Sequence, residues 1–416
     1  MDNLTHTLIG LVAGDSVSRA TRTRADGLTA DQRRTGLVAI AAIGGNVPDL
    51  DLLYSYQAIT GDKLGYLLEH RGYTHTILGC FALALLLYAG AEAWARIRRV
   101  TLSPSDRCAF AAMALLGVML HLGMDALNSY GVHPFWPVNN RWVYGDSVFI
   151  IEPLYWLATA PMFFLMRSVA ARVVIALVVL GGLAANVFTH SAQPLWCVAV
   201  VLATAALLAV GKLTSHRTAS FTSAVLMLGV TAMFVFAGQA AAHRAESIAA
   251  SSFPGEKNID HVLSPLPSNP FCWDLLLIQT ESNEYTVRHG VISTAPLLMP
   301  PAACPRIFPN NRGTAPMVRV PVPPSREVEW LGQFSMPIDR LSSLAADNCE
   351  AYELLQFARV PYALEVDRRW VIGDLRFDRE VALGMSEIAL TDPAPARCRY
   401  DAPWVPPRDA LLNFAR

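Results

Sequence analysis

The chain has 416 residues, of which 53% are hydrophobic and 16% charged, and its formal net charge is −1. A mean hydropathy of +0.33 with long uncharged runs excludes an ordinary soluble enzyme, because soluble chains average about 25% charged residues. Plentiful apolar surface excludes disorder, and the balanced charge lacks the basic excess that nucleic-acid binding requires. The composition is that of a membrane protein.

In chain order, Leu4 to Ala13 and Gly36 to Val47 are short and rich in Gly and Ala. They read as full spans, re-entrant helices or helices packed inside a bundle. Asp2 in place of a basic residue, and His6 within the apolar run, argue against a cleaved signal peptide. Ile77 to Ala95 and Cys108 to Leu127 are apolar but carry Glu92 and the pair His121 and Asp125. Val148 to Met166, Ala170 to Phe188, Pro194 to Gly211 and Ala219 to Ala242 meet or approach the roughly 20 residues that a spanning helix needs. The expectation is a mainly α, polytopic transmembrane bundle of about eight helices over residues 1–245.

Beyond about Ser251 the character changes. Most of the 27 prolines lie there, and no run is long enough to span. Asp274 to Gln279 with Glu284 to Ile292, and Ala363 to Val366 with Trp370 to Phe377, read as paired strands, while Ile338 to Phe357 reads as helical. Residues 250–416 are expected to form a soluble, extracytoplasmic α+β domain, with the boundary near His243 to Phe253.

Orientation follows from basic residues, which mark cytoplasmic loops. Arg19, Arg22, Arg24, Arg33 and Arg34 separate the first two apolar segments; Arg96, Arg98, Arg99 and Arg107 the next pair; then come Arg167 with Arg172, and Lys212 with Arg217. With eight crossings every cluster falls inside and both termini outside. Cys272, Cys304, Cys349 and Cys398 all lie in the C-terminal domain. An even number there suggests two disulfides in an oxidising compartment, and four free buried thiols are the alternative.

Five of the ten histidines fall within the first 133 residues, beside acids. Ionisable groups in membrane segments are costly and usually functional. His121 and Asp125, four apart on a helix, share a face and suit chelation of one ion, or lock helix packing as a hydrogen-bonded pair. Asp49 and Asp51 follow Pro48, which ends the preceding helix; both can reach a cation, or Asp51 can cap a helix. His70 and His75 flank Gly72 ahead of the apolar helix, and Arg71 between them is a fork suited to phosphate or carboxylate, or a membrane-surface anchor. His6 and His133 taken singly are ordinary structural histidines, and Glu152 is a ligand or a helix cap. In the eight-crossing arrangement these residues gather toward the outer face. A His and Asp set without cysteine suits zinc, manganese or iron, and its chemistry would be metal-dependent hydrolysis.

The segments Met1-Asp2-Asn3-Leu4-Thr5-His6-Thr7, Pro48-Asp49-Leu50-Asp51, His70-Arg71-Gly72-Tyr73-Thr74-His75 and His121-Leu122-Gly123-Met124-Asp125 resemble the YdjM-type membrane-bound metal-dependent hydrolases over about residues 1–200. Gly373-Asp374-Leu375-Arg376-Phe377 looks like part of the extension of long members. The resemblance implies a helical metal hydrolase of bacterial inner membranes, with a periplasmic C-terminal domain. It is also distantly similar to zinc-dependent phospholipase C and the single-strand nuclease group. That analogy implies one to three divalent ions held by His6, Asp49, His70, His121, Asp125 and His133. Asp51 or His75 would act as base or orienting group, and Arg71 would bind the substrate anion. The expected substrate is a phosphoester or a membrane lipid phosphate. The rival is a non-enzymatic membrane protein whose cluster is structural or metal-binding and whose outer domain recruits a partner.

Overall fold

The computed structural model describes residues 1–21, 27–55, 61–190, 193–306, 316–318, 325–381, 383–395, 397–408 and 411. It divides into two compact units. The first comprises Met1–Leu50, Thr74–Asn128 and Val148–Val235, the second Asp51–Tyr73, Ser129–Ser147 and Phe236–Arg416.

The first unit is helical. Helix α1 (Asn3–Ala20) starts where the Asp2 carboxylate accepts the Thr5 N–H, and α2 (Ala30–Gly44) opens with a Thr29–Gln32 capping box. The two pack closely because glycine lines their contact. A Cβ on Gly10 would fall 2.5 Å from the Ala41 carbonyl oxygen, and one on Gly14 2.6 Å from Val38 Cα. Small residues at such crossings let backbones approach. Helix α3 (Ile77–Ile97) follows, then α4 (Pro104–Ala126), which begins with a Ser103–Asp106 capping box and Pro104. Helices α5 (Val169–His190), α6 (Pro194–Leu213) and α7 (His216–Ser252) complete the set, and α7 continues into the second unit.

Among the described residues, five helices, α3 to α7, are long and apolar enough to cross a membrane. A sixth results if Ala30–Gly44 and Val47–Ser55, bent by 48°, count as one span. The expectation of one span over Val148 to Met166 is corrected. That stretch is a short helix, Pro153–Leu157, and a 3-10 turn, Ala160–Leu165. Pro153 and Pro161 each lack the amide proton that a continuous helix needs, a break to which hydropathy is blind. Arg19, Arg33 and Arg34 lie at the α1–α2 connection; Arg98, Arg99, Arg167, Lys212 and Arg217 lie at or near later helix ends. Arg22 and Arg24 lie outside the described residues.

The second unit holds a four-stranded antiparallel sheet in the order β1 (Lys257–Leu266), β2 (Asn269–Glu281), β3 (Glu284–Ser293), β4 (Val328–Pro337). A three-stranded sheet of β5 (Pro361–Val366), β6 (Arg369–Asp374) and β7 (Ile388–Ala389) follows helices α8 (Ile338–Asp347) and α9 (Cys349–Leu355). Both hairpins expected from sequence alternation are present, with Leu276 opposite His289 and Ala363 opposite Ile372. The four cysteines pair as Cys272–Cys304 and Cys349–Cys398. Two segments early in the chain belong to this unit because their apolar side chains join its core. Leu64, Leu67 and Leu68 from helix Lys63–Glu69, with Tyr130 and Trp142, pack among Ile278, Phe334, Leu354 and Tyr362. Each such leucine, fully buried, contributes about 1.5–3 kcal/mol. Arg376 fixes one segment further, donating to the carbonyls of Ser129 and Tyr130 while its guanidinium pairs with Asp374.

Candidate metal centre

Four side chains of the first unit converge. Asp49 sits on the 3-10 turn Val47–Asp51, forced out of helix α2 by Pro48. His75 ends the turn Tyr73–His75, fixed just before Thr76 caps α3 by accepting the Gly79 N–H at 2.8 Å. His121 and Asp125 stand one turn apart on α4. Nε2 of His75 and Nε2 of His121 are 3.0 Å apart. Asp49 Oδ1 is 3.4 Å from each of them, and Asp125 Oδ2 is 3.3 Å from His75 and 3.6 Å from His121. His75, His121 and Asp125 are buried, and Asp49 is partly exposed.

These separations fit an ion. Nitrogen and oxygen donors bind zinc at about 2.0–2.2 Å, and a tetrahedral shell of that radius spaces its donors about 3.3–3.5 Å apart. The surroundings also orient the donors. His121 Nδ1 lies 2.8 Å from the Gly45 carbonyl oxygen, which can only accept, so Nδ1 carries the proton and Nε2 turns its lone pair to the group. His75 Nδ1 is 3.0 Å from the Thr74 hydroxyl. Asn3 donates to Asp49 Oδ2 at 2.8 Å. His6 Nε2 is 3.2 Å from Asp125 Oδ1, which the Met1 amino group also reaches, and the His6 ring stacks on His121 with centroids 3.9 Å apart.

The candidate residues therefore divide. His6, Asp49, His75, His121 and Asp125 meet in the first unit. Asp51, His70, Arg71 and His133 belong to the second. There His70 Nδ1 lies 2.9 Å from Asp51 Oδ1, and the Arg71 N–H donates to Asp51 Oδ2 at 2.9 Å. Arg71 adopts φ 62°, a left-handed conformation that costs a bulky residue energy, and its guanidinium lies over the Tyr130 ring. The His133 ring stacks on Trp404 at 3.8 Å. Glu152 caps helix Pro153–Leu157, accepting the Leu154 N–H at 2.9 Å.

One cluster has no local signature in the sequence. His289 is buried and lies 2.7 Å from Asp274, and Arg379 brackets the same carboxylate at 2.6 and 3.2 Å. Burial works against the Asp274 charge, yet the Arg379 and His289 neighbours hold its pKa down at about 2. Burial lowers that of His289. Asp274 and His289 occupy neighbouring strands one diagonal apart, so only the β2–β3 register could have joined them. Asn3, Gly45 and Asn46 also gave no sign of their roles, although Asn3 lies in the opening motif.

Neither a curated protein nor a solved structure matches the chain. A family model, that of the YdjM inner membrane protein, matches residues 1–209, half of the sequence, and that stretch includes all four converging donors. With its apolar helices, this match identifies a membrane protein, and the chain belongs to the YdjM inner membrane protein family.

Proposed function

We propose that the chain is a membrane-embedded metal-dependent hydrolase in which Asp49, His75, His121 and Asp125 hold a divalent ion. Its substrate would be a phosphoester or lipid phosphate at the outer face of the inner membrane. The observation that carries this reading is the convergence of four nitrogen and oxygen donors, with each carboxylate oxygen 3.3–3.6 Å from the two imidazole nitrogens, within a largely apolar helical unit. Carboxylates and imidazoles are expensive in such surroundings unless bonded or coordinated. A donor set without sulfur favours zinc, manganese or iron at a reactive site over a thiolate structural site. Bound there, a divalent ion supplies Lewis acidity, which acidifies water and polarises a phosphoryl or ester oxygen.

The chain's own groups would do the rest. Gly45 holds His121 in the tautomer that offers Nε2. Asp49, the least buried of the four, marks the edge from which a substrate would approach. The test is turnover of p-nitrophenyl phosphate and of phosphatidic acid by metal-loaded protein in detergent. Turnover that vanishes in Asp125→Ala supports the proposal.

One observation favours a second reading. Four protein donors complete a tetrahedral shell, as in sites that tie elements together without catalysis. A full complement of metal with no hydrolysis of either substrate would decide for that closed site. The two disulfides and the arginine distribution support an outer, periplasmic location for the second unit. A phosphatase reporter fused to the C-terminus, active only outside the cytoplasm, would be inactive if that placement is wrong.

A further inference from the structure

We propose that the first turn of α1 is a clamp for both carboxylates of the metal group, with Asn3 holding Asp49 and His6 holding Asp125. The inference rests on the metal reading above and adds the residues that set how each aspartate ligates. Both carboxylates divide their oxygens in the same way. Asp49 turns Oδ1 toward the two imidazoles, 3.4 Å from each Nε2, while its Oδ2 accepts from Asn3 Nδ2 at 2.8 Å. Asp125 turns Oδ2 toward the same imidazoles, at 3.3 and 3.6 Å, while its Oδ1 meets His6 Nε2 at 3.2 Å beside the Met1 amino group. A carboxylate oxygen only accepts, so His6 donates through Nε2.

Asn3 and His6 are three apart on one helix, a spacing that puts them on a common face. The helix is held in register with the Asp49 turn by Asn46. Its Nδ2 donates to Thr7 Oγ1 at 2.9 Å, and its carbonyl accepts the Asp49 N–H at 3.1 Å. Stacking on His121 fixes the His6 ring plane. An aspartate with one oxygen engaged in this way presents the other alone, so both bind an ion through a single oxygen. His6 is then a positioning residue, in place of the ligand role implied by the family resemblance.

The test is the zinc and cobalt affinity of the full chain in detergent, measured by chelator competition, for wild type, Asn3→Ala, His6→Ala and His6→Gln. Outer partners of metal ligands typically govern affinity by roughly 10–100-fold. Asn3→Ala and His6→Ala should weaken binding by that factor while one ion per chain still binds at saturation. His6→Gln should recover most of the loss, because its amide can donate to the same Asp125 oxygen but offers no imidazole. The visible bands of bound cobalt should keep their tetrahedral intensity throughout. Circular dichroism checks that each variant is folded, and where an alanine variant is not, His6→Gln carries the decision.

Unchanged affinity in folded Asn3→Ala and His6→Ala would overturn the clamp. A His6→Gln variant that has lost affinity and altered the cobalt bands would make His6 a ligand and overturn it as well. Wild-type protein that binds neither ion would instead overturn the metal reading itself, a result distinguishable from both.

Discussion

Two buried clusters of histidine and aspartate in this chain arrange the same residue types in different ways. In the second unit, Asp274 is closed off by a guanidinium and an imidazole; Arg379 and His289 approach it at 2.6 and 2.7 Å, and the carboxylate's charge is answered by the Arg379 cation. In the first unit two imidazoles turn Nε2 toward each other and toward two carboxylate oxygens. Buried His beside Asp is common to both clusters and so does not mark the first one out. What distinguishes the first cluster is the convergence of donor atoms on one point.

The sharpest way to break the comparison is by metal content. His121→Ala and Asp125→Ala should each reduce bound metal from about one ion per chain to a small fraction of that, since each removes a donor from a four-donor shell. His289→Ala should leave metal content unchanged. Equal losses from both clusters, by elemental analysis of folded protein, would erase the distinction.

Next in size is the Asp274 cluster itself. Arg379→Ala leaves a buried carboxylate without its guanidinium and should destabilise the second unit by about 3–5 kcal/mol in denaturant unfolding, with metal content intact. A change below about 1 kcal/mol would mean that Asp274 is solvated or neutral in the folded chain. Removing the disulfide that closes the 49-residue separation between Cys349 and Cys398 should cost about 2–4 kcal/mol in the same unit. Loss of metal from that variant would contradict the independence of the two clusters.

The smallest effect is on pH. The Asp274 pKa is lowered to about 2, so the stability it contributes is complete above the ordinary carboxylate range and is lost as pH falls from about 4 toward 2. The His289 pKa is lowered too, so the unfolded chain takes up its proton first as pH drops below about 6.5, again at the expense of the folded state. Melting of the second unit should therefore fall steadily between pH 7 and 3. A unit that is more stable at pH 4 than at pH 7 would reverse both signs.

How far the sequence discloses this molecule depends on how local each feature is. The His121–Asp125 pair is legible because helical spacing alone puts it on one face, and the β2–β3 and β5–β6 hairpins are legible because alternation has a period of two. The choice between Asp49 and Asp51 is not legible, since it depends on which way a 3-10 turn faces after Pro48. Asn3 looks like one polar residue in a short motif until the fold brings the Asp49 turn to it, 46 positions away. Asp274, His289 and Arg379 are joined only by strand register and by the chain's return after β6. Hydropathy overcounts the spans at Val148 to Met166 because it weighs side chains and not the missing amide protons of Pro153 and Pro161.

The most direct test of the central claim is the metal content of detergent-purified wild-type chain after incubation with zinc, manganese or iron(II) and removal of the excess. The arrangement of Asp49, His75, His121 and Asp125 predicts about one tightly held ion per chain. No retained ion, with each metal supplied in turn to folded protein, would contradict it and leave the four side chains as a buried hydrogen-bonding group.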